Sequence, residues 1–184
     1  MSLPLRFISQ AEETAGIQKM IYDFKRFYPD FVDKETLMLM VSPDFSGIVS
    51  TIMAQALSIP GEPLMYIDAV HVPDPDEDPQ LFKERFRKDF PAIRESFEGY
   101  PMQKFILVEA GVISGRNYSW LTEMMIKEFG VLRQNIITVA LYQSSKAKFQ
   151  CNLVGDYYDH ENEDLCFWWE VPNIAFGDFP KERK

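Results

Sequence analysis

Residues 104–118 read KFILVEAGVISGRNY, from Lys104 to Tyr118. The unbroken apolar run Phe105-Ile106-Leu107-Val108 has the pattern of a strand buried on both faces of a parallel sheet. Glu109 follows it, so the pattern predicts a carboxylate at the strand's carboxyl end, where open α/β sheets bind their ligands. Ser114, Gly115, Arg116 and Asn117 then form a predicted turn ahead of a helix from Tyr118 to Phe129. Backbone N–H groups of such a turn, with a helix N-terminus behind them, can cradle an anion, and glycine lets a ligand approach the backbone closely. The same Ser and Asn also fit a plain helix cap and turn. A cap alone does not account for the acid at the strand end.

Outward from this unit, strands and helices alternate. Ile17, Met20, Ile21 and Phe24 recur at helical spacing between Ser9 and Tyr28, and Pro29 closes that helix. Thr36 to Val41 (TLMLMV) reads as a buried strand, Ser42 to Gly47 (SPDFSG) as a loop, and IVSTIMAQALSIP as the helix after it. A further strand is predicted over Pro63 to Val70. The segment His71 to Pro79 is broken by prolines and charge, and Leu81 to Phe97 is helical in composition with an interruption at Pro91. Asn135 to Tyr142 predicts another strand. Short strands at Leu153 to Tyr158 and Leu165 to Glu170 flank an acidic turn. This alternation implies an α/β class with a parallel sheet and right-handed crossovers. The N-terminal helix and the C-terminal tail are expected to form a small accessory hood.

The run at 104–118 resembles the ribose-phosphate signature of the phosphoribosyltransferases, in which an apolar strand leads into paired acids, small or apolar residues and then Thr/Ser-Gly-x-Thr. Glu109 takes the first acidic position, and Ser114-Gly115-Arg116-Asn117 falls on the phosphate loop. Three other segments follow in that family's order. The Thr36–Val41 strand, its loop and a helix ending in Leu57-Ser58-Ile59-Pro60 resemble the first strand and pyrophosphate loop. Pro63–Val70 follows as the next strand. Gly155-Asp156-Tyr157-Tyr158 with Phe167-Trp168-Trp169-Glu170 resembles the tail of the purine and xanthine-guanine branch. The resemblance implies a Rossmann-like parallel sheet flanked by helices, with a hood, as one domain over 1–184. It also implies transfer of a 5-phosphoribosyl group between phosphoribosyl diphosphate and a purine-type base, with Mg²⁺ as cofactor.

Carried onto this chain, the resemblance gives Glu109 the ribose-binding, catalytic place and Ser114 to Asn117 the 5′-phosphate. It gives Ser42, Asp44, Ser46 and Gly47 the pyrophosphate, and Phe167 and Trp168 a stacking face for the base. Several departures fall on these positions. Ala110 stands where the second acid belongs, Ile113 where many members carry an Asp, and Asn117 where they carry a Thr. Asp44 occupies a loop that normally offers a cation, and a carboxylate about 4 Å from a phosphate oxygen is repelled by about 4 kcal/mol at an effective dielectric near 20. Asp164 replaces the usual stacking aromatic. Lys83, Arg85, Arg87 and Lys88 either supply cations from a lid over the site or form the solvated face of a helix whose apolar side is Leu81, Phe82, Phe86 and Phe90. Phe167 and Trp168 equally fit a plain core, and the acids from Asp156 to Asp164 a solvated turn. The departures keep a second function open: a catalytically inactive descendant that binds a nucleotide or phosphate, or acts as an interaction module. Phosphoribosyl diphosphate or a nucleoside monophosphate is the expected ligand, and a homodimer is compatible with the resemblance.

Composition narrows the classes. The chain has 184 residues and 46% hydrophobic content, enough for one substantial core. Its net charge of −9 argues against nucleic acid as partner, since phosphate backbones are held by clustered Lys and Arg. Any phosphate ligand must therefore find local donors against an adverse overall field. Cys151 and Cys166 fit no metal or disulfide spacing and read as reduced thiols. No apolar run reaches the ~20 residues that span a bilayer, and MSLPLRFISQ lacks a signal-peptide layout. A cytoplasmic location is the expectation.

Overall fold

A computed structural model describes residues 3–41, 43–59, 65–66, 79–95 and 102–168. The chain begins with strand β1 (Leu5–Ile8) and helix α1 (Gln10–Phe27). Ser9 starts α1 through a capping box: its hydroxyl accepts from the Glu12 amide at 3.2 Å, and the Glu12 carboxylate accepts from the Ser9 amide at 2.9 Å. Gly16, Ile17, Met20 and Phe24 make the buried stripe, and Pro29 follows the last turn. Then come β2 (Thr36–Met40), α2 (Pro43–Leu57), β3 (Met65–Tyr66), α3 (Pro79–Glu95), β4 (Lys104–Val112), α4 (Arg116–Lys127), β5 (Ile136–Ser144), β6 (Leu153–Tyr158) and β7 (Asp164–Phe167).

The main sheet runs β3-β2-β4-β5-β6 with every pairing parallel. In order of appearance its strands stand 2-1-3-4-5, a doubly wound topology whose switch point lies between β2 and β4. Alternation sorts the side chains into two cores. Ile106, Val108, Ala110, Ile137, Val139 and Leu141 face Ile17, Met20 and Phe24 of α1 and Val49 and Met53 of α2. On the other face Leu37, Leu39, Phe105 and Leu107 meet Phe86 and Phe90 of α3 and Tyr118, Leu121 and Met125 of α4. Helix α1 touches β6 through paired glycines. A Cβ on Gly155 would lie 2.6 Å from the Leu141 carbonyl, and one on Gly16 would lie 2.8 Å from Leu141 Cδ1.

The fold is thus the expected α/β arrangement of parallel strands flanked by helices, and several boundaries differ from the sequence reading. Helix α1 is a layer of the main sheet. The hood is built instead by β1, which pairs in parallel with β7 from Leu5↔Asp164 to Ile8↔Phe167. Arg6 fastens this small sheet to β6 through Asp156 at 3.1 Å. Strand β4 continues past Val108 to Val112 because β5 pairs with it as far as Val112↔Gln143. The segment 42–47, expected as a loop, is largely helix. Proline suits the first helical position, and α2 opens at Pro43, so Asp44, Ser46 and Gly47 lie in its first turns. Ser42 and the Asp44 side chain lie outside the described residues. So do most of the predicted strand 63–70 and the segment from Trp169 onward.

Of the two readings of the helix over 81–97, its described residues follow the amphipathic one, with an apolar face packed inward. Phe86 and Phe90 are buried, and Phe90 packs at 4.8 Å between ring centroids on Phe129. Arg87 makes a two-pronged bridge to Glu128 at 2.5 and 2.8 Å. The Lys83 ammonium sits 5.5 Å from the centre of the Trp120 ring. These two cations are therefore engaged on the α3–α4 face; the Arg85 side chain lies outside the described residues. Among the described residues no helix is long and apolar enough to cross a membrane.

Candidate functional site

At the switch point β2 and β4 part company. The Val41 amide still donates to the Val108 carbonyl at 2.9 Å, after which β2 leads into α2 while β4 runs on beside β5 alone. Glu109 is therefore inside β4, paired with Ala140, one residue beyond the last β2 contact. Strand pleating places it on the Leu107 face. Its side chain keeps partial solvent contact, yet desolvation pushes its carboxyl up to about 8. Two neighbours feel its charge. The Cys151 thiol is pushed up to about 12, by burial first and Glu109 second. The Tyr118 phenol is raised well above its ordinary range by burial, with Cys151 and Glu109 adding to it.

The turn after β4 is shaped by one glycine and its backing. Gly115 has φ +73°, the left-handed region that other residues avoid, and is the N-cap of α4 without any side-chain cap. A Cβ there would lie 2.5 Å from Phe149 Cβ, so only glycine fits the space as well as the dihedral. Ser114 stands one position earlier. Its hydroxyl accepts from the Arg116 amide at 3.3 Å, and its carbonyl accepts from the Lys148 amide at 3.2 Å. The first amides of a helix have no intrahelical acceptor, so those of Asn117 and Tyr118 are the donors that α4 presents to an anion. Tyr118 locks the helix start below them, donating to the Val139 carbonyl at 2.5 Å. The Arg116 guanidinium lies 5.0 Å from the Trp120 ring centre, one turn along.

The remaining expected residues fall elsewhere. Ser46 is fully buried, and its hydroxyl has no protein partner. Gly47 has room among the described residues, where a Cβ would meet Met40 Sδ at 4.0 Å. Phe167 is buried in the core with its ring edge-on to Tyr142 at 5.7 Å, so it offers no stacking face to a base. The Trp168 indole donates to the buried Glu13 carboxylate. Asp159 in the acidic turn is bridged by Lys146 at 3.0 Å. Ala110 is wholly buried on the α1/α2 face, opposite to Glu109, and Ile113 is exposed. A shallow, open depression lined by Phe27, Tyr28, Phe31 and Lys104 lies at the other, amino-terminal end of β4, far from the turn.

The donor set bears on Mg²⁺. Among the described residues no group of three or more His, Cys, Asp or Glu side chains converges. Burial raises the Glu109 carboxyl to about 8, and its chain neighbour Ala110 turns into the core. The described donors do not fit a protein-held divalent cation, which wants ionised oxygen ligands.

Sequence reading missed the residues that back the turn, namely Gln143, Phe149, Cys151 and the anchoring role of Tyr118. The stretch SSKAKFQCN has no periodicity to reveal them. The one signal was a polar Gln143 directly after the apolar run Val139 to Tyr142.

No family model and no curated protein matches the chain. Solved structures do. The Helicobacter pylori xanthine-guanine-hypoxanthine phosphoribosyltransferase superposes with a TM-score of 0.61 at 10% identity, covering 95% of this chain and 99% of its own. The purine phosphoribosyltransferase from Pyrococcus horikoshii Ot3 gives 0.61 at 12% identity, covering 99% of each. At such identities the likeness concerns the fold. The chain has a phosphoribosyltransferase-like fold.

Proposed function

We propose that the crevice between β2 and β4 binds a 5-phosphoribosyl ligand, a nucleoside monophosphate or phosphoribosyl diphosphate. The observation that carries this reading is the uncapped start of α4 at left-handed Gly115, set beside Glu109 at the switch point. The 5′-phosphate takes the amides of Asn117 and Tyr118. Glu109 meets the ribose hydroxyls, either accepting from them as a carboxylate or donating as the acid. The reaction proposed for this site is transfer of the 5-phosphoribosyl group to a purine-type base. In that chemistry positioning and electrostatics at the ribosyl centre supply the rate.

A second reading, binding without transfer, is favoured by one specific feature. The acid that would pair with Glu109 is replaced by Ala110, on the opposite face of the strand and inside the core. No step is assigned to Mg²⁺ in either reading.

The test is calorimetry and thermal shift with ribose 5-phosphate, purine nucleoside monophosphates, phosphoribosyl diphosphate and pyrophosphate. A ligand at a hundred times its dissociation constant raises stability by about 2.7 kcal/mol. The expected result is a shift with ribose 5-phosphate and at least one monophosphate. Its loss in Glu109→Gln for ribose 5-phosphate, with inorganic phosphate less affected, places the ribose at that residue. Absence of any shift across the set overturns the reading.

A further inference from the structure

The loop between β5 and β6 carries no part of the fold's hydrogen-bonded ladder, yet it forms the rear wall of the turn at Gly115. Its shape is fixed by one side chain. Gln143 is wholly buried near the end of β5, in register with Val112, the last residue of β4. Its amide nitrogen donates to the Phe149 carbonyl at 3.2 Å and to Gln150 Oε1 at 2.8 Å. Its oxygen accepts from the Cys151 amide at 3.0 Å. Both amide protons and the oxygen are used, and flipping the group would set like against like at every contact.

Phe149, held in this way, touches the turn by three routes. Its Cβ and carbonyl fill the space where a side chain on Gly115 would stand, at 2.5 and 3.2 Å. The amides of Lys148 and Phe149 both point at the Ser114 carbonyl, at 3.2 and 3.5 Å. Its ring stacks on Tyr118, with centroids 5.7 Å apart and planes at 26°.

We propose that Gln143 is a positioning residue for the turn: by fixing Phe149 behind Gly115 it sets the direction of the α4 amides toward a phosphate. The proposal rests on the reading of Ser114 to Asn117 as the 5′-phosphate site. Gln143 touches no ligand itself. Its effect passes through Phe149 to Ser114, Gly115 and Tyr118.

The experiment compares Gln143→Met, which keeps length and loses the hydrogen bonds, with Asn152→Ala. Asn152 Oδ1 accepts from the Thr138 amide at 2.9 Å, so its loss destabilises the same region without touching Phe149. Phe149→Ala serves as a second variant, acting on the same linkage from its ring. Inorganic phosphate and ribose 5-phosphate are titrated while the amide resonances of residues 113–118 are followed. Amide exchange is also measured without ligand. Gln143→Met and Phe149→Ala are expected to weaken ribose 5-phosphate about tenfold or more, and Asn152→Ala at most about twofold, because small misplacements of a binding group are costly. Exchange at Gly115 and Arg116 should quicken in the first two variants alone. Wild-type binding that survives unchanged in Gln143→Met and Phe149→Ala overturns the positioning role and leaves the phosphate site standing. Failure of the wild-type protein to bind either ligand removes the phosphate site, and exchange at Gly115 unaltered by Gln143→Met then removes the positioning role as well.

Discussion

Glu109 and Gly115 are the residues on which the proposed site depends, and each makes a measurable demand. The Glu109 carboxyl is raised from 4.5 to about 8 in the folded chain because burial disfavours its charge. A carboxyl raised on folding binds more protons in the native state, so stability falls as pH rises through the interval between the two values. The loss is confined to about pH 4.5–8 and amounts to at most about 5 kcal/mol, less in proportion to the water the side chain still meets. Glu109→Gln has no proton to lose. Urea unfolding should find the variant more stable than wild type at pH 8.5 and little changed at pH 5; equal stability at pH 8.5 would mean that the group ionises freely. Gly115→Ala meets both a left-handed dihedral, at about 1–2 kcal/mol, and the Phe149 backbone wall. It should lower stability by about 2–4 kcal/mol as well as weaken phosphate binding, so binding must be measured under conditions where the variant is folded. The sequence made these two residues visible, since an acid after an apolar strand and a glycine before a helix are local signals. Their backing was not visible, because Phe149 and Gln143 reach the turn from a different loop.

At the scale of elements, the sequence located nearly every strand and helix and misplaced some of their ends. Strand β4 outruns its apolar core because β5 offers partners to Gly111 and Val112, and a pairing partner is a property of the sheet that no single strand records. Helix α2 begins at Pro43 where a loop was expected, since Ser-Pro-Asp reads equally as a turn and as a helix start. Strand β1 has no apolar run to announce it and exists through pairing with β7. The helical placement of Gly47 can be tested directly. With room at Cβ and no left-handed dihedral, Gly47→Ala should stabilise the protein by about 0.5–1 kcal/mol, because it removes the entropy of a glycine inside a helix. Denaturant midpoints decide the matter. A loss of stability, or a loss of pyrophosphate affinity with stability unchanged, would return Gly47 to a ligand-binding loop.

For the whole molecule, the parallel sheet and its two helical layers reproduce a phosphoribosyltransferase framework while the chemistry on that framework is thinned. Phosphoribosyl diphosphate brings several negative charges into a protein of net charge −9. Of the described cations on α3 and α4, Lys83 and Arg116 lie over the Trp120 ring and Arg87 pairs with Glu128. Glu109 lacks an acidic chain neighbour, and Ala110 cannot be made into one, because its Cβ faces the core between α1 and α2. Ala110→Asp would bury a carboxylate there and destabilise the fold without supplying the crevice with charge. A monophosphate asks less of such a site than a diphosphate does, since one uncapped helix start with its amides suffices for a single phosphate group. The expected outcome is therefore asymmetric. Calorimetry should detect a purine nucleoside monophosphate, while pyrophosphate release from phosphoribosyl diphosphate, assayed with a panel of purine and pyrimidine bases in the presence of Mg²⁺, should not exceed that of Glu109→Ala. Base-dependent release clearly above that control would establish transfer and show that residues outside the described part of the chain complete the diphosphate site. Release absent together with monophosphate binding would leave a nucleotide-binding protein on a transferase framework, the outcome that the placement of Ala110 and the charge of the chain favour.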